Sequence, residues 1–109
     1  PLDAAAAALD AVAAAFEERR AFAAHRRQII AANPELQERE LIKLARLAGA
    51  VADALRRRGV RDPAAILTAE AAITVFRVAF QRWVDPANDQ DFQHIMRASL
   101  DELRAVTAA

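Results

Sequence analysis

The sequence predicts an all-α fold, an antiparallel bundle of about five helices. Three observations carry this. Thirty of the 109 residues are alanine and only two are glycine, so helix is favoured almost everywhere. Apolar residues recur at i, i+3, i+4 and i+7, and no alternating strand pattern interrupts them. Helix starts and stops are punctuated by Asn33-Pro34, Gly59 and Asp62-Pro63. The length suits one domain with one core, residues 1–109.

The first helix is expected from Leu2 to about Ala32. Leu2, Leu9, Val12 and Phe16 share a face, filled in by Ala5, Ala6 and Ala13. Glu17-Glu18-Arg19-Arg20 interrupts that pattern without a breaker, so a kink or short break is expected between Phe16 and Arg19. Beyond it Phe22, His25, Ile29 and Ala32 share a face.

At Asn33-Pro34 one dipeptide ends a helix and opens another. The residue before proline is pushed out of the α region, asparagine is a good N-cap, and proline suits the first helical position. Leu41, Leu44, Ala45, Ala48, Val51, Ala52 and Leu55 then form the most regular stripe. Arg56-Arg57-Arg58 complements the helix C-terminus, and Gly59 is the expected stop. The triple arginine reads as a solvated helix end, with phosphate binding as the sharper alternative.

Asp62-Pro63 repeats the start signal, Asp62 as N-cap and Pro63 at the first position. The helix from Pro63 to about Val84 is apolar nearly all round. Ile66, Ala69, Ile73, Phe76, Phe80 and Trp83 make one face, and Ala71, Val75, Val78 and Ala79 another. Only the seam Glu70, Thr74, Arg77 and Gln81 is polar along its length. Such a helix must be covered on both sides, and a bundle of this size covers one. The last helix, about Gln90 to Val106, carries Phe92, Ile95, Met96, Ser99, Leu100, Leu103 and Val106 in a broad stripe.

Charge and composition narrow the function. Fifteen basic and fifteen acidic side chains give a formal net charge of zero, which argues against nucleic-acid binding by overall charge alone. There is no cysteine, hence no disulfide framework or thiolate metal site. No segment is expected to match a membrane span, and Pro1-Leu2-Asp3 lacks a signal-peptide pattern, so a cytoplasmic protein is expected. The absent initiator methionine suggests a processed chain or a fragment.

Enzyme chemistry is not expected. His25 and His94 stand on different helices, and neither forms a metal-binding pair with a histidine or glutamate. Gly49 and Gly59 cannot make a phosphate loop, and Ser99 has no nucleophile elbow. No metal, cofactor or catalytic residue is assigned. His25 reads either as a boundary histidine bonded to a carbonyl or water, or as a polar contact in an apolar ligand cavity. Arg77 reads either as part of a solvated or ion-paired seam, or as a partner for a bound anion. The aromatics read either as core or as pocket wall.

Two stretches carry a family resemblance. HRRQIIAANPELQERELIKLARLAGAVADALRRRGV, His25 to Val60, and DPAAILTAEAAITVFRVAFQRWV, Asp62 to Val84, resemble the C-terminal regulatory domain of actinobacterial TetR-type transcriptional repressors. The similar features are the Ile30–Leu36 corner, the arginine-rich helix end before Gly59, the Asp62-Pro63 start, and Phe76-Arg77 leading to Trp83.

The resemblance implies a homodimer in which the last two helices pair with their symmetry mates as a four-helix bundle. It also implies a cavity for a small hydrophobic or amphipathic effector, among the earlier helices and the inner face of Pro63–Val84. Effector binding would change the spacing of two DNA-reading heads. No segment here carries a helix-turn-helix, so DNA contact is expected only through an N-terminal head outside these residues. On this reading Phe22, His25, Ile29, Leu44, Ala48, Phe76, Arg77 and Phe80 stand at the effector pocket. Ile73, Val84, Phe92, Ile95, Met96, Leu100 and Leu103 stand at the dimer bundle. A free-standing helical module that binds a partner protein is the alternative.

Overall fold

A computed structural model describes residues 1–108. Five α-helices follow in order: α1 (Leu2–Phe16), α2 (Arg20–Ala31), α3 (Pro34–Arg57), α4 (Ala64–Val84) and α5 (Phe92–Thr107). A single 3₁₀ turn, Glu17–Arg19, joins α1 to α2, so no loop residue separates the two from Leu2 to Ala31. The expected bundle of about five is therefore four continuous helical segments, the first of them jointed. The joint falls where the charged run interrupts the apolar stripe, and Arg19 leaves the helical region at φ −113°, ψ 20°.

The Asn33-Pro34 corner follows its local chemistry. Asn33 is extended, and its Oδ1 accepts from the amides of Glu35 at 3.0 Å and Leu36 at 3.4 Å. Gln37 Nε2 reaches back to donate to the Ala31 carbonyl at 2.8 Å, satisfying an end of α2. At the far end of α3, Gly59 takes φ +92°. Its amide donates to the Arg56 carbonyl, and the Val60 amide donates to that of Leu55. This pair of bonds closes a helix through a left-handed residue, which glycine adopts without a Cβ penalty.

Two helix starts differ from expectation. α4 begins at Ala64, and Asp62 does not cap it. The Asp62 carboxylate is engaged instead by Arg56, whose Nε and Nη2 donate to its two oxygens at 3.0 and 3.1 Å. Arg56 Nη1 also donates to Asp53 at 2.7 Å. The hydrogen bond to Asp62, aided by Asp53, holds the Arg56 guanidinium above its usual range. α5 begins at Phe92 rather than Gln90, because Asp91 is the cap: its Oδ1 accepts from the His94 amide at 2.7 Å.

α4 packs against each of the other four helices. α2 and α3 lean on it as one pair, and α1 and α5 as the other. The second pair is antiparallel. Arg104 meets Asp3 at 3.0 Å, Arg97 meets Asp10 at 3.0 Å, and Glu17 accepts from the Phe92 amide at 2.8 Å. Trp83, Phe92, Ile95 and Met96 are the largest fully buried side chains, at the junction of α4 and α5.

Contrary to the sequence expectation, one segment does meet the measure of a membrane span by length and composition. It is Ala64–Trp83, twenty residues with a mean hydropathy of 1.4. Packing against the other helices accounts for the part of that apolarity that is buried, from Ala65 to Val84, while Ile66, Leu67 and Val78 stay exposed.

Candidate functional site

Five of the six aromatic side chains, all but Phe22, form one cluster. Phe16 of α1 stands 6.1 to 6.4 Å, centroid to centroid, from Phe76, Phe80, Trp83 and Phe92. Trp83 and Phe92 stack in parallel at 4.4 Å, while most of the other pairs are tilted or edge-on. Phe76 and Phe80, expected at a pocket, are half-buried in this cluster. The rings fill the space that sequence alone left open between core and pocket. Trp83 Nε1 in this cluster and Ser99 Oγ on α5 are buried without a hydrogen-bond partner within the protomer.

The three α2 residues expected at the pocket lie outside. Phe22 is 69% exposed, Ile29 is 49% exposed, and His25 is exposed between them. The corner does fold α2 back on α3, but α2 buries only Ala23, with Ala24 and Ile30 half-buried. The apolar face read from Phe22 and Ile29 is thus rotated away from the bundle. Arg77 is exposed on α4 and takes part in no ion pair among the described residues.

Ala48 and Leu44 do face inward, the first buried and the second half-buried. Ala48 lines an open groove of about 240 Å³ between α3 and α4. Small side chains form its walls, namely Ala45, Gly49, Ala52 and Ala69, with Ile66, Glu70, Asp53 and Arg56 around them. A Cβ placed on Gly49 would meet no heavy atom within 4 Å, so the glycine leaves free space in this groove rather than admitting a neighbouring backbone.

The residues expected at a dimer bundle lie mostly inside the protomer. Ile73, Val84, Phe92, Ile95, Met96 and Leu100 are buried within the protomer, all but Ile73 in one core cluster with Trp83. Only Leu103 is part-exposed. Their broad stripe is spent on α1 and α4, because antiparallel α1 covers one flank of α5. Among the apolar surfaces that stay uncovered is the outer stripe of α4. Leu67 is 65% and Val78 47% exposed, with Ala71 and Thr74 between them at helical spacing. The Thr74 hydroxyl donates to the Glu70 carbonyl of its own helix, which removes its demand for another partner.

A second polar feature was missed from sequence. Arg20, the first residue of α2, donates from Nε to the Trp83 carbonyl at 2.9 Å. It also donates from Nη2 to the carbonyls of Asp85 and Asn88, both at 2.8 Å. A guanidinium thus closes the C-terminal end of α4, where the helix dipole favours a cation. Glu17, one turn earlier, accepts from the first amide of α5. The joint between α1 and α2 therefore holds both ends of the α4–α5 loop. The charge interruption at 17–20 was the available signal.

Among the described residues no three histidine, aspartate or glutamate side chains are placed to hold a metal ion. The two grooves on α3 are open and shallow, without a converging nucleophile and base. No curated protein matches the chain. A family model does: the one described as the MftR C-terminal domain, a C-terminal domain of the TetR type, over residues 1–108. A match along that length, on an all-helical chain with the corner at Asn33-Pro34 and the central helix α4, makes the chain a member of the MftR C-terminal domain family of TetR-type regulators.

Proposed function

We propose that the chain is the effector-sensing and dimerisation domain of a cytoplasmic TetR-like repressor. Membership of the family over residues 1–108 is the observation that carries this reading. The partner copy packs on the outer face of α4, along Leu67, Ala71, Thr74 and Val78. The exposed apolar side chains there support this, since a long helix left bare on one side lowers its free energy by acquiring cover. A small apolar or amphipathic effector enters the α3–α4 groove beside Ala48 and Gly49. It acts by shifting α3 against α4, and so the setting of DNA-reading heads carried elsewhere in the protein.

Light scattering coupled to size exclusion tests the dimer. The expected mass is that of two chains of 11.9 kDa each. The Leu67→Glu/Val78→Glu variant is expected at the mass of one, with its helical circular dichroism retained. A wild-type chain that stays monomeric at micromolar concentration overturns the reading.

A further inference from the structure

The net charge of zero conceals a division. Residues 19–61 hold eleven basic and four acidic side chains, and the remainder holds four basic and eleven acidic. The two sets are separated in space. The basic stretch spans the turn, α2 and α3, which lean on α4 together. Most of the acidic set belongs to α1, α5 and the loop before α5. The domain is therefore an electrostatic dipole of roughly seven charges at each pole.

Within the basic pole one row stands out. Arg39, Lys43, Arg46 and Arg57 recur at helical spacing on the side of α3 opposite its buried residues Ala48, Ala52 and Leu55. All four are exposed, and none has a carboxylate within ion-pair distance among the described residues. Neighbouring cations differ: Arg26 is paired with Glu40, Arg56 with Asp53 and Asp62, and Arg20 is engaged with carbonyls. Arg39 to Arg57 spans about 27 Å along the helix. Arg39, Lys43 and Arg46 flank a shallow depression beside Ile42.

We infer that this face of α3 lies against the phosphate backbone of double-stranded DNA, without reading its sequence. A row of cations interrupted only by Asp53, which Arg56 pairs at 2.7 Å, and without an aromatic anchor or deep pocket, suits an extended polyanion rather than a folded partner or a small anion. Arginine forks match phosphate geometry. A bilayer surface fits less well, because the apolar side chains that α3 leaves exposed, Leu41, Ile42 and Leu47, point to different sides of the helix and form no continuous face to enter lipid. The inference goes beyond the effector and dimer reading and does not depend on it.

Fluorescence anisotropy of a short labelled duplex of arbitrary sequence, titrated with the 109-residue chain, tests it. Four phosphate contacts per protomer predict a slope of log affinity against log salt of about −3.6. That is a loss of about 150-fold between about 50 and 200 mM salt. Arg39→Gln/Lys43→Gln/Arg46→Gln is expected to bring the slope below about one unit in magnitude. Should that variant lose its helical dichroism, the single substitutions Arg46→Gln and Arg57→Gln each remove about one unit. Arg82→Gln, on α4, is expected to leave affinity unchanged. Absence of binding at low salt overturns the inference. So does binding that survives the α3 substitutions, or tighter binding to phosphatidylserine vesicles than to the duplex.

Discussion

Arg19 and Arg20 are identical in type and adjacent in sequence, yet their replacement by alanine is expected to have very different effects. Arg19 is exposed and makes no hydrogen bond among the described residues, so Arg19→Ala should stay within about 0.5 kcal/mol of wild type. Arg20→Ala removes three charge-assisted bonds, of 2.8 to 2.9 Å, from the α4 terminus and its loop. Buried bonds of this kind contribute about 1.5 to 3 kcal/mol each. The values here are lower, because one bond is exposed and two of the acceptors keep another donor. The Trp83 carbonyl retains Asn88 Nδ2, and the Asp85 carbonyl retains the Asn88 amide. Allowing about 1 kcal/mol per bond gives a loss of about 2 to 3 kcal/mol, or about 8 to 12 °C in Tm at this size. Urea unfolding followed by circular dichroism measures it. A loss below about 0.5 kcal/mol, or an equal loss in Arg19→Ala, would refute the assignment of Arg20 as the clamp.

Other substitutions probe separate parts of the fold. Asn33→Ala should cost about 1 kcal/mol through the lost cap, and Asn33→Ser should restore most of it, again by urea unfolding. Gly59→Ala should cost about 1 to 2 kcal/mol, because its φ of +92° places a Cβ in a strained backbone; an unchanged midpoint would contradict that backbone. Ser99→Ala should be neutral or stabilise by up to about 1 kcal/mol, since it deletes a buried hydroxyl without a partner. A marked loss in thermal denaturation would reveal a bond to that hydroxyl that the protomer does not supply.

The features legible in the sequence were those set by neighbours along the chain. The Asn33 cap and the Gly59 stop follow from bonds spanning a few residues, and the joint after Phe16 was marked by the charged run that interrupts the apolar stripe. Helix type followed from alanine content and period. The features that were not legible depend on distant partners. Asp62 has the chemistry of a cap, but Arg56 claims it, so Asp62-Pro63 read like Asn33-Pro34 and folds otherwise. Arg20 bonds carbonyls 63 to 68 residues away, and carbonyls carry no sequence signature.

The candidate site was legible only in part, for the same reason. A stripe such as Phe92–Leu100 announces burial but not what buries it, and α1 supplies the cover that a second chain was expected to give. Phe22 and Ile29 form an apolar face on paper, yet the bundle takes the neighbouring Ala23. Ala48, expected at a pocket, belongs to the most regular stripe in the chain, and it lines the α3–α4 groove.

The antiparallel seam between α1 and α5 has a topological consequence. Because Asp3 sits against Arg104, the first and last helices leave the fold at the same place. Where the polypeptide is severed is then a matter of convenience. A short linker could join the two ends, and new ones could open at the exposed turn after Gly59. Such a circular permutant would keep the helix neighbours of the original while α4 and α5 were made first and α1 to α3 last. The order of synthesis and the architecture are separable in this bundle.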